Sequence, residues 1–504
     1  MSGQFTPSEA FLVNGLARII GAVELKGVLG NINTQYANSH VDLPSKVKVH
    51  QTKSSLEDSA GLAAWVGVAH YIKIILSKPQ AATDNRVLRL MPPPGQATMS
   101  TCLDRRKFLQ LAAVSTAGAA LPACSTDEPA DRYTDADRAL LAQQRIVEAA
   151  RSGQGPFGEL IFKGYRGLAE LPWFELDADG ELHIVNLDLP RAIDLHCHLG
   201  ISLLLAPAID LHQRTERVMH LLDCDASNPG CELDLDVYIN RNFSEQALNE
   251  LTWSSAAQGL WGSASASTQT IPNLLHEMDT CRVERACIMP IAFNLPFGDD
   301  LTERWLAAIN LAGAGARLIS GGSVHPRDND RFTKLRAYAA AGARMIKFHP
   351  TMQRSYPDSD VMMELYAECQ RLGLIVFFHC GRAGIEPEFT HRYALPRHYQ
   401  AAIEAFPQLQ FVLGHAGARD VSTALPLAER YHNVWLDTHG QGVSTLHDML
   451  KRTGGERMLY GTDWPFYHVA ASLAKLLIIT EGQPEKRYAL LRGNAERLLQ
   501  TQLR

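Results

Sequence analysis

The chain has 504 residues, of which 46% are hydrophobic, 20% charged and 8% aromatic. That composition excludes collagen-like, low-complexity and disordered classes. Lys plus Arg (48) against Asp plus Glu (54) leaves a net charge of -6 with no basic stripe, so nucleic acid is not an expected partner. No uncharged apolar run reaches the roughly 18 residues of a membrane-spanning helix, which excludes a polytopic helical membrane protein.

Residues 1–98 show no sustained hydrophobic period and no motif, and they end near a loop-like PPPG at 92–95. Two readings stay open. One is an upstream extension, translated in frame ahead of a start at Met99; the other is a small domain around a buried helix at 61–76. Residues 99–124 read MSTCLDRRKFLQLAAVSTAGAALPAC. A charged cluster (Asp104, Arg105, Arg106, Lys107) precedes an uncharged run from Phe108 to Ala123, the order of a secretory signal. The Arg105-Arg106 pair resembles a twin-arginine export signal, and Leu121-Pro122-Ala123-Cys124 resembles a lipoprotein cleavage box, with Cys124 as the lipidation candidate. The resemblance implies use of the twin-arginine export machinery and membrane contact only through a lipid anchor. It implies a periplasmic or membrane-anchored protein of a bacterium. A buried helix followed by an ordinary cysteine is the alternative.

Nine cysteines without a C-x-x-C pair are too sparse for a disulfide scaffold. In an oxidising compartment Cys224 and Cys231 can bridge across the loop DASNPG; two free thiols are the alternative.

Residues 125–190 form a pre-barrel segment, with a helical stretch near 134–151 and a short strand at 180–186 expected to cap the barrel floor. From 191 to 504 short apolar runs alternate with helical periods. Eight strands are predicted: Ala192–Leu199, Val283–Pro290, Arg317–His325, Ala343–His349, Leu374–Cys380, Gln410–His415, Val434–Thr438 and Met458–Asp463. Helical stretches are predicted at 301–313, 330–341, 360–372, 397–406, 420–431 and 466–480. Apolar strands alternating with helices predict a parallel sheet covered on both faces. Eight units predict an α/β fold, a (β/α)8 TIM barrel with a long insertion (201–270) after the first strand and an N-terminal extension. A doubly wound open sheet is the alternative, but no phosphate-binding glycine loop is present.

Polar residues collect at the strand ends. His196 and His198 stand two apart on the first strand and so face one side. His379 ends the fifth strand, His415 the sixth and Asp463 the eighth. Strand C-terminal ends ring one mouth of a barrel, where active sites sit. Four histidines and a carboxylate there make the donor set of a Zn²⁺-like hydrolytic site. A cation lowers the pKa of a bound water from about 15.7 towards 7. Asp463 can take that water's proton, and His415 titrates in the range to pass one on. For Asp463 the competing role is an N-cap ahead of Trp464-Pro465.

The motifs IDLHCH, MIKFHP, FFHCG, PRHYQAAIEAFPQLQFVLGHAG, MLYGTDWPF and GNAERLL, spread over 190–504, resemble the amidohydrolase superfamily, in its amidohydrolase-related branch. That resemblance implies one catalytic divalent metal, commonly Zn²⁺, with Mn²⁺ as the variant, held by His196, His198, His379 and Asp463. His415 would polarise substrate or act as general acid or base. Lys347 and His349 share a face of the fourth strand; in binuclear members a carboxylated lysine there bridges two metals, whereas this motif resembles the mononuclear branch.

Arg354, Arg382 and Arg397 are candidates for gripping a substrate carboxylate, with structural ion pairs as the alternative. His325, His391 and His439 are weaker pocket candidates. Trp464 and Phe466 wall the site or pack beneath its rim, and Cys197 and Cys380 are ambiguous. The leading expectation is a metal-dependent hydrolase acting on a C–O or C–N bond of a small molecule (a lactone, ester or amide). The alternatives are a non-oxidative carboxy-lyase for an aromatic or enol acid, and a non-catalytic lipid-anchored binding barrel. A homodimer is compatible with the sequence, which contains nothing that sets the oligomeric state.

Overall fold

The computed structural model describes residues 132–500 apart from 205, 226–229, 253–261 and 296. The signal-like segment, Cys124 and the helix at 61–76 lie outside the described residues.

The eight strands form where the sequence predicts them: β1 (Ala192–Cys197), β2 (Val283–Ile288), β3 (Leu318–Gly322), β4 (Met345–Phe348), β5 (Ile375–Phe378), β6 (Phe411–Leu413), β7 (Val434–Asp437) and β8 (Met458–Leu459). They pair in chain order and all in parallel. The ring closes between β8 and β1. Leu195 N–H donates to Tyr460 O at 3.0 Å, Asp463 N–H to His196 O at 2.7 Å, and His198 N–H to Trp464 O at 2.6 Å. The fold is a TIM-like (β/α)8 barrel, not an open sheet.

The helices include α1 (Asp135–Arg151), α2 (Ile271–Thr280), α3 (Leu301–Leu311), α4 (Arg331–Ala340), α5 (Asp360–Arg371), α6 (Gln400–Ala405), α7 (Val421–Arg430), α8 (Val443–Thr453), α9 (Val469–Ile479) and α10 (Asn494–Gln500). The outer core lies between them and the strands, around side chains such as Leu365, Tyr366, Phe378 and Leu446. An inner core fills the barrel: Ile193, Leu195, Cys287, Ile319, Met345, Ile375, Phe377, Val412, Trp435 and Leu459. Strand side chains alternate between faces, so these positions share one parity on most strands.

Ala495 and Leu498 of α10 complete the inner core. The expected floor cap at 180–186 is therefore corrected. Leu182–Ile184 pairs instead with Phe174–Leu176 in an antiparallel hairpin and packs against α2.

The insertion after β1 is stitched to the pre-barrel segment by an antiparallel pair, Ile161–Lys163 with Glu232–Asp234. Cys224 and Cys231 are disulfide-bonded beside it, with Cα atoms 5.2 Å apart.

At the start of α1, Thr134 and Asp137 form a reciprocal cap: Thr134 N–H donates to Asp137 Oδ2 at 2.7 Å and Asp137 N–H to Thr134 Oγ1 at 3.3 Å. The same carboxylate takes both arms of Arg397, at 2.5 and 2.9 Å. Arg382, fully buried, reaches Asp137 O at 2.6 Å and forks onto Asp420 through Nε at 2.8 Å. Removing one partner of a buried ion pair leaves the other uncompensated. Arg382→Met should therefore lose on the order of 3–5 kcal/mol of unfolding free energy, read by urea denaturation. An unchanged midpoint would show that this network is energetically idle.

Candidate metal centre

His196, His415 and Asp463 come together at the C-terminal end of the barrel, with one ligand-type atom of each within 4.8 Å of the others. All three are at least nine-tenths buried. His196 Nε2 stands 3.3 Å from Asp463 Oδ1 and His198 Nε2 stands 3.0 Å from the same oxygen. Two ligands of a tetrahedral ion bound at 2.0–2.1 Å lie about 3.4 Å apart, so these separations suit one cation. His415 Nδ1 is buried without a hydrogen-bond partner, as a donor atom reserved for a ligand would be.

Backbone irregularities aim these groups. On β1, Ile193 and Leu195 face the inner core, and continued alternation would send Cys197 inward and both histidines outward. The register shifts between Asp194 and Cys197, which re-aims His196 and His198 towards the mouth. Cys197 turns into the outer core, its thiol 2.9 Å from Asp194 Oδ2. His415 has φ 55° and Asp463 φ 56°, left-handed values that cost a non-glycine residue energy. Asp463 caps no helix: α9 starts later and is capped by His468.

His379 follows the parity of Ile375 and Phe377 and arrives beside His415, its Nδ1 3.1 Å from His415 Nε2. Its Nε2 is engaged elsewhere, 2.6 Å from Glu386 Oε1. The compact triad therefore contains His415, expected to handle substrate, while His198 and His379 flank it. His349 stacks on His379 with ring centroids 4.0 Å apart. Lys347, buried, points inward: its Nζ lies 3.1 Å from His196 Nε2 and 4.4 Å from the Phe377 ring centre.

Burial governs the protonation states. It pushes His196 and His415 well below the ordinary imidazole value, aided by neighbouring cationic groups. Burial pushes His439 down to about 4 and Lys347 down to about 8. Burial would raise Asp463, but the His198 hydrogen bond and the His439 charge outweigh it and hold the carboxyl below its ordinary value. Neutral imidazoles beside an ionised carboxylate are the form that binds a cation.

The arginines lie elsewhere. Arg382 and Arg397 are committed to Asp420 and Asp137, and exposed Arg354 lies over the Phe389 ring, so none has its guanidinium in the cluster. Trp464 is fully buried, its Nε1–H donating to Glu277 Oε2 at 3.1 Å, so it packs beneath the rim. Of the weaker candidates, His439 reaches the centre, Nε2 to Asp463 Oδ2 3.7 Å. His325 Nδ1 instead accepts from Arg327 N–H at 3.0 Å, and His391 is buried with both ring nitrogens unpartnered.

Sequence reasoning missed Asp437 and Glu386, the carboxylates that hold the imidazoles. Asp437 carried the same signal as the residues chosen, a polar group closing an apolar strand. Glu386 sits in a turn, where no periodicity marks it; its carboxylate also accepts from the N–H groups of Ala383, Gly384 and Ile385.

A parallel eight-stranded barrel with a buried histidine–carboxylate cluster at the C-terminal mouth is the arrangement of a metal-dependent enzyme. Residues 288–501 match the family model described as amidohydrolase. β1, with His196 and His198, precedes the matched span. No curated protein matches the chain. Among solved structures it is similar to an uncharacterized TIM-barrel protein of Bordetella bronchiseptica (19% identity, 62% of this chain and 100% of that one, TM-score 0.45). It is also similar to 2,6-dihydroxybenzoate decarboxylase from Rhizobium (17%, 46% and 88%, TM-score 0.38). A probable 2-pyrone-4,6-dicarboxylic acid hydrolase from Acinetobacter baumannii is a third (12%, 62% and 100%, TM-score 0.37).

Glu277 ties the wall of the site together. It accepts from Trp464 and from Val469 N–H at 2.7 Å, and its Oε2 lies 3.1 Å from His220 Nε2. Burial would raise its pKa, but His468 and His220 outweigh burial and bring it down to about 2. A folded value below the unfolded one, about 4.3, adds stability above pH 4.3 that disappears as pH falls towards 2. Glu277→Gln should lose about 3 kcal/mol at pH 7 and show a flatter stability profile between pH 5 and 2. Denaturation at each pH checks this, and a parallel offset at all pH values would refute it.

Proposed function

We propose that the chain is a metal-dependent hydrolase that uses one divalent cation, Zn²⁺ or Mn²⁺, to cleave a C–O or C–N bond of a small molecule such as a lactone, ester or amide. The observation that carries this is the buried triad of His196, His415 and Asp463, with donor atoms within 4.8 Å at the barrel mouth. These three residues would hold the cation, with His198 against the same carboxylate and His379 beside His415. A cation there supplies Lewis acidity and lowers the pKa of water. Asp463, ionised by its contacts, is the base within reach of a water at the centre. Lys347 offers a buried cationic N–H to a carboxylate or developing oxyanion.

One observation favours a second reading. A buried lysine amine is a fitting counter-ion for a substrate carboxylate, which suits a non-oxidative carboxy-lyase for an aromatic or enol acid.

Metal stoichiometry by elemental mass spectrometry is the first test. About one zinc or manganese per chain is expected, lost in the Asp463→Asn, His196→Ala double variant. No metal after repletion would overturn the proposal, and two would make Lys347 a suspected carboxylated bridge. Turnover in ¹⁸O-water then separates the two readings. Label in the product supports the hydrolase, whereas CO₂ release without label supports the lyase.

We further propose that the protein is exported by the twin-arginine route and anchored through Cys124. The Arg105-Arg106 pair and the oxidised Cys224–Cys231 pair support this, because such bridges persist in oxidising compartments. Intact mass should show a lipidated chain beginning at Cys124; a chain retaining residues 1–98 would refute it.

A further inference from the structure

Asp437 closes β7 and is fully buried. Two backbone N–H groups and one imidazole nitrogen converge on it. Oδ2 lies 2.8 Å from His196 Nδ1 and accepts from His415 N–H at 2.8 Å, while Oδ1 accepts from His439 N–H at 3.1 Å. One carboxylate thus touches the first, sixth and seventh strand ends of the site.

We infer that Asp437 is the positioning residue that sets the metal affinity of this centre, acting through the tautomer of His196 and the backbone of His415. The inference rests on the metal-dependent reading above. A carboxylate facing Nδ1 keeps the proton there, so the Nε2 lone pair faces Asp463 and Lys347. Its second bond fixes the left-handed turn at His415, a conformation that an alanine or histidine backbone does not hold unaided. Partners of this kind orient ligating imidazoles and raise their basicity, and their loss costs 10–100-fold in metal affinity.

The chain makes room for this carboxylate. A Cβ at Gly461 would stand 2.1 Å from Asp437 Oδ1 and 2.9 Å from His196 Cβ. Glycine at 461, just past the end of β8, is what lets Asp437 and His196 meet. A buried carboxylate on β1, Asp194, serves as a contrast. It accepts from His196 N–H, from Thr462 and from the Cys197 thiol, and it touches no imidazole.

The test is Zn²⁺ affinity of the full chain, measured by chelator competition, with the Co²⁺-loaded absorption spectrum as a report on the ligand set. Wild type, Asp437→Asn, Gly461→Ala and Asp194→Asn are compared on folded protein. Asp437→Asn should weaken Zn²⁺ binding 10–100-fold and alter the Co²⁺ spectrum. Gly461→Ala, which displaces the carboxylate without removing it, should do the same. Asp194→Asn should lower the denaturation midpoint and keep wild-type affinity and spectrum. If Asp437→Asn does not fold, Gly461→Ala carries the comparison. Wild-type affinity in either folded variant, or equal losses in Asp194→Asn, would overturn the inference while leaving the metal reading intact. Failure of wild type to bind Zn²⁺ or Mn²⁺ would overturn both.

Discussion

Everything at this site follows from burying many titratable groups within one low-dielectric volume. His196, His415, His439, Lys347, Asp437 and Asp463 share it, and none of their side chains is open to bulk water. An isolated charge cannot persist there. The imidazoles therefore lose their protons, the lysine is drawn towards neutrality, and Asp437 is pushed by burial up to about 7 despite the backbone N–H donors of His415 and His439. Only Asp463 stays firmly ionised, because His198 and His439 face it. Such a centre favours one added cation, which unites neutral lone pairs with a lone carboxylate.

The barrel supplies that volume through a simple rule of alternation. Below, inward positions are apolar and plugged by Trp435 and α10. Above, the same parity brings Lys347 after Met345, His379 after Phe377 and Asp437 after Trp435. This much was legible in the sequence: eight strands, their order and the polar groups at their ends. The rest of the centre breaks the rule. His196 and His198 face inward only because β1 slips register, and His415 reaches the centre only through a left-handed turn. Sequence spacing can show that His196 and His198 share a face, but a bulge decides which face it is.

The illegible part is the set of partners. Arg382 and Arg397 read as anion-binding forks at the mouth, and they sit near it. What sequence could not show is that Asp420 and the cap residue Asp137 take those forks first. Pairs of this kind join segments far apart in the chain, so no local pattern marks them. The same holds for Glu277, whose hydrogen-bond partners lie on the insertion, the β8 loop and α9.

Those long-range pairs also explain why the site can hold strained residues. Left-handed backbone at a histidine and an aspartate persists only where neighbours over-determine it. Here the β5 loop is locked to the β6 loop through Arg382 and Asp420, and to α1 through Arg382 and Arg397 on the carbonyl and carboxylate of Asp137. Arg419 adds a second strap, its guanidinium on Ala383 O at 2.6 Å and on Glu148 of α1 at 3.2 Å. The loops that carry His379 and His415 are therefore braced from outside by a helix that precedes the barrel in the chain. A centre built on braced loops keeps its donors in place before any cation arrives, and that preorganisation is what lets strained side chains bind tightly instead of relaxing away. On this view the N-terminal helix belongs to the machinery of the site as much as the strands do, although it contributes no side chain to the cluster itself.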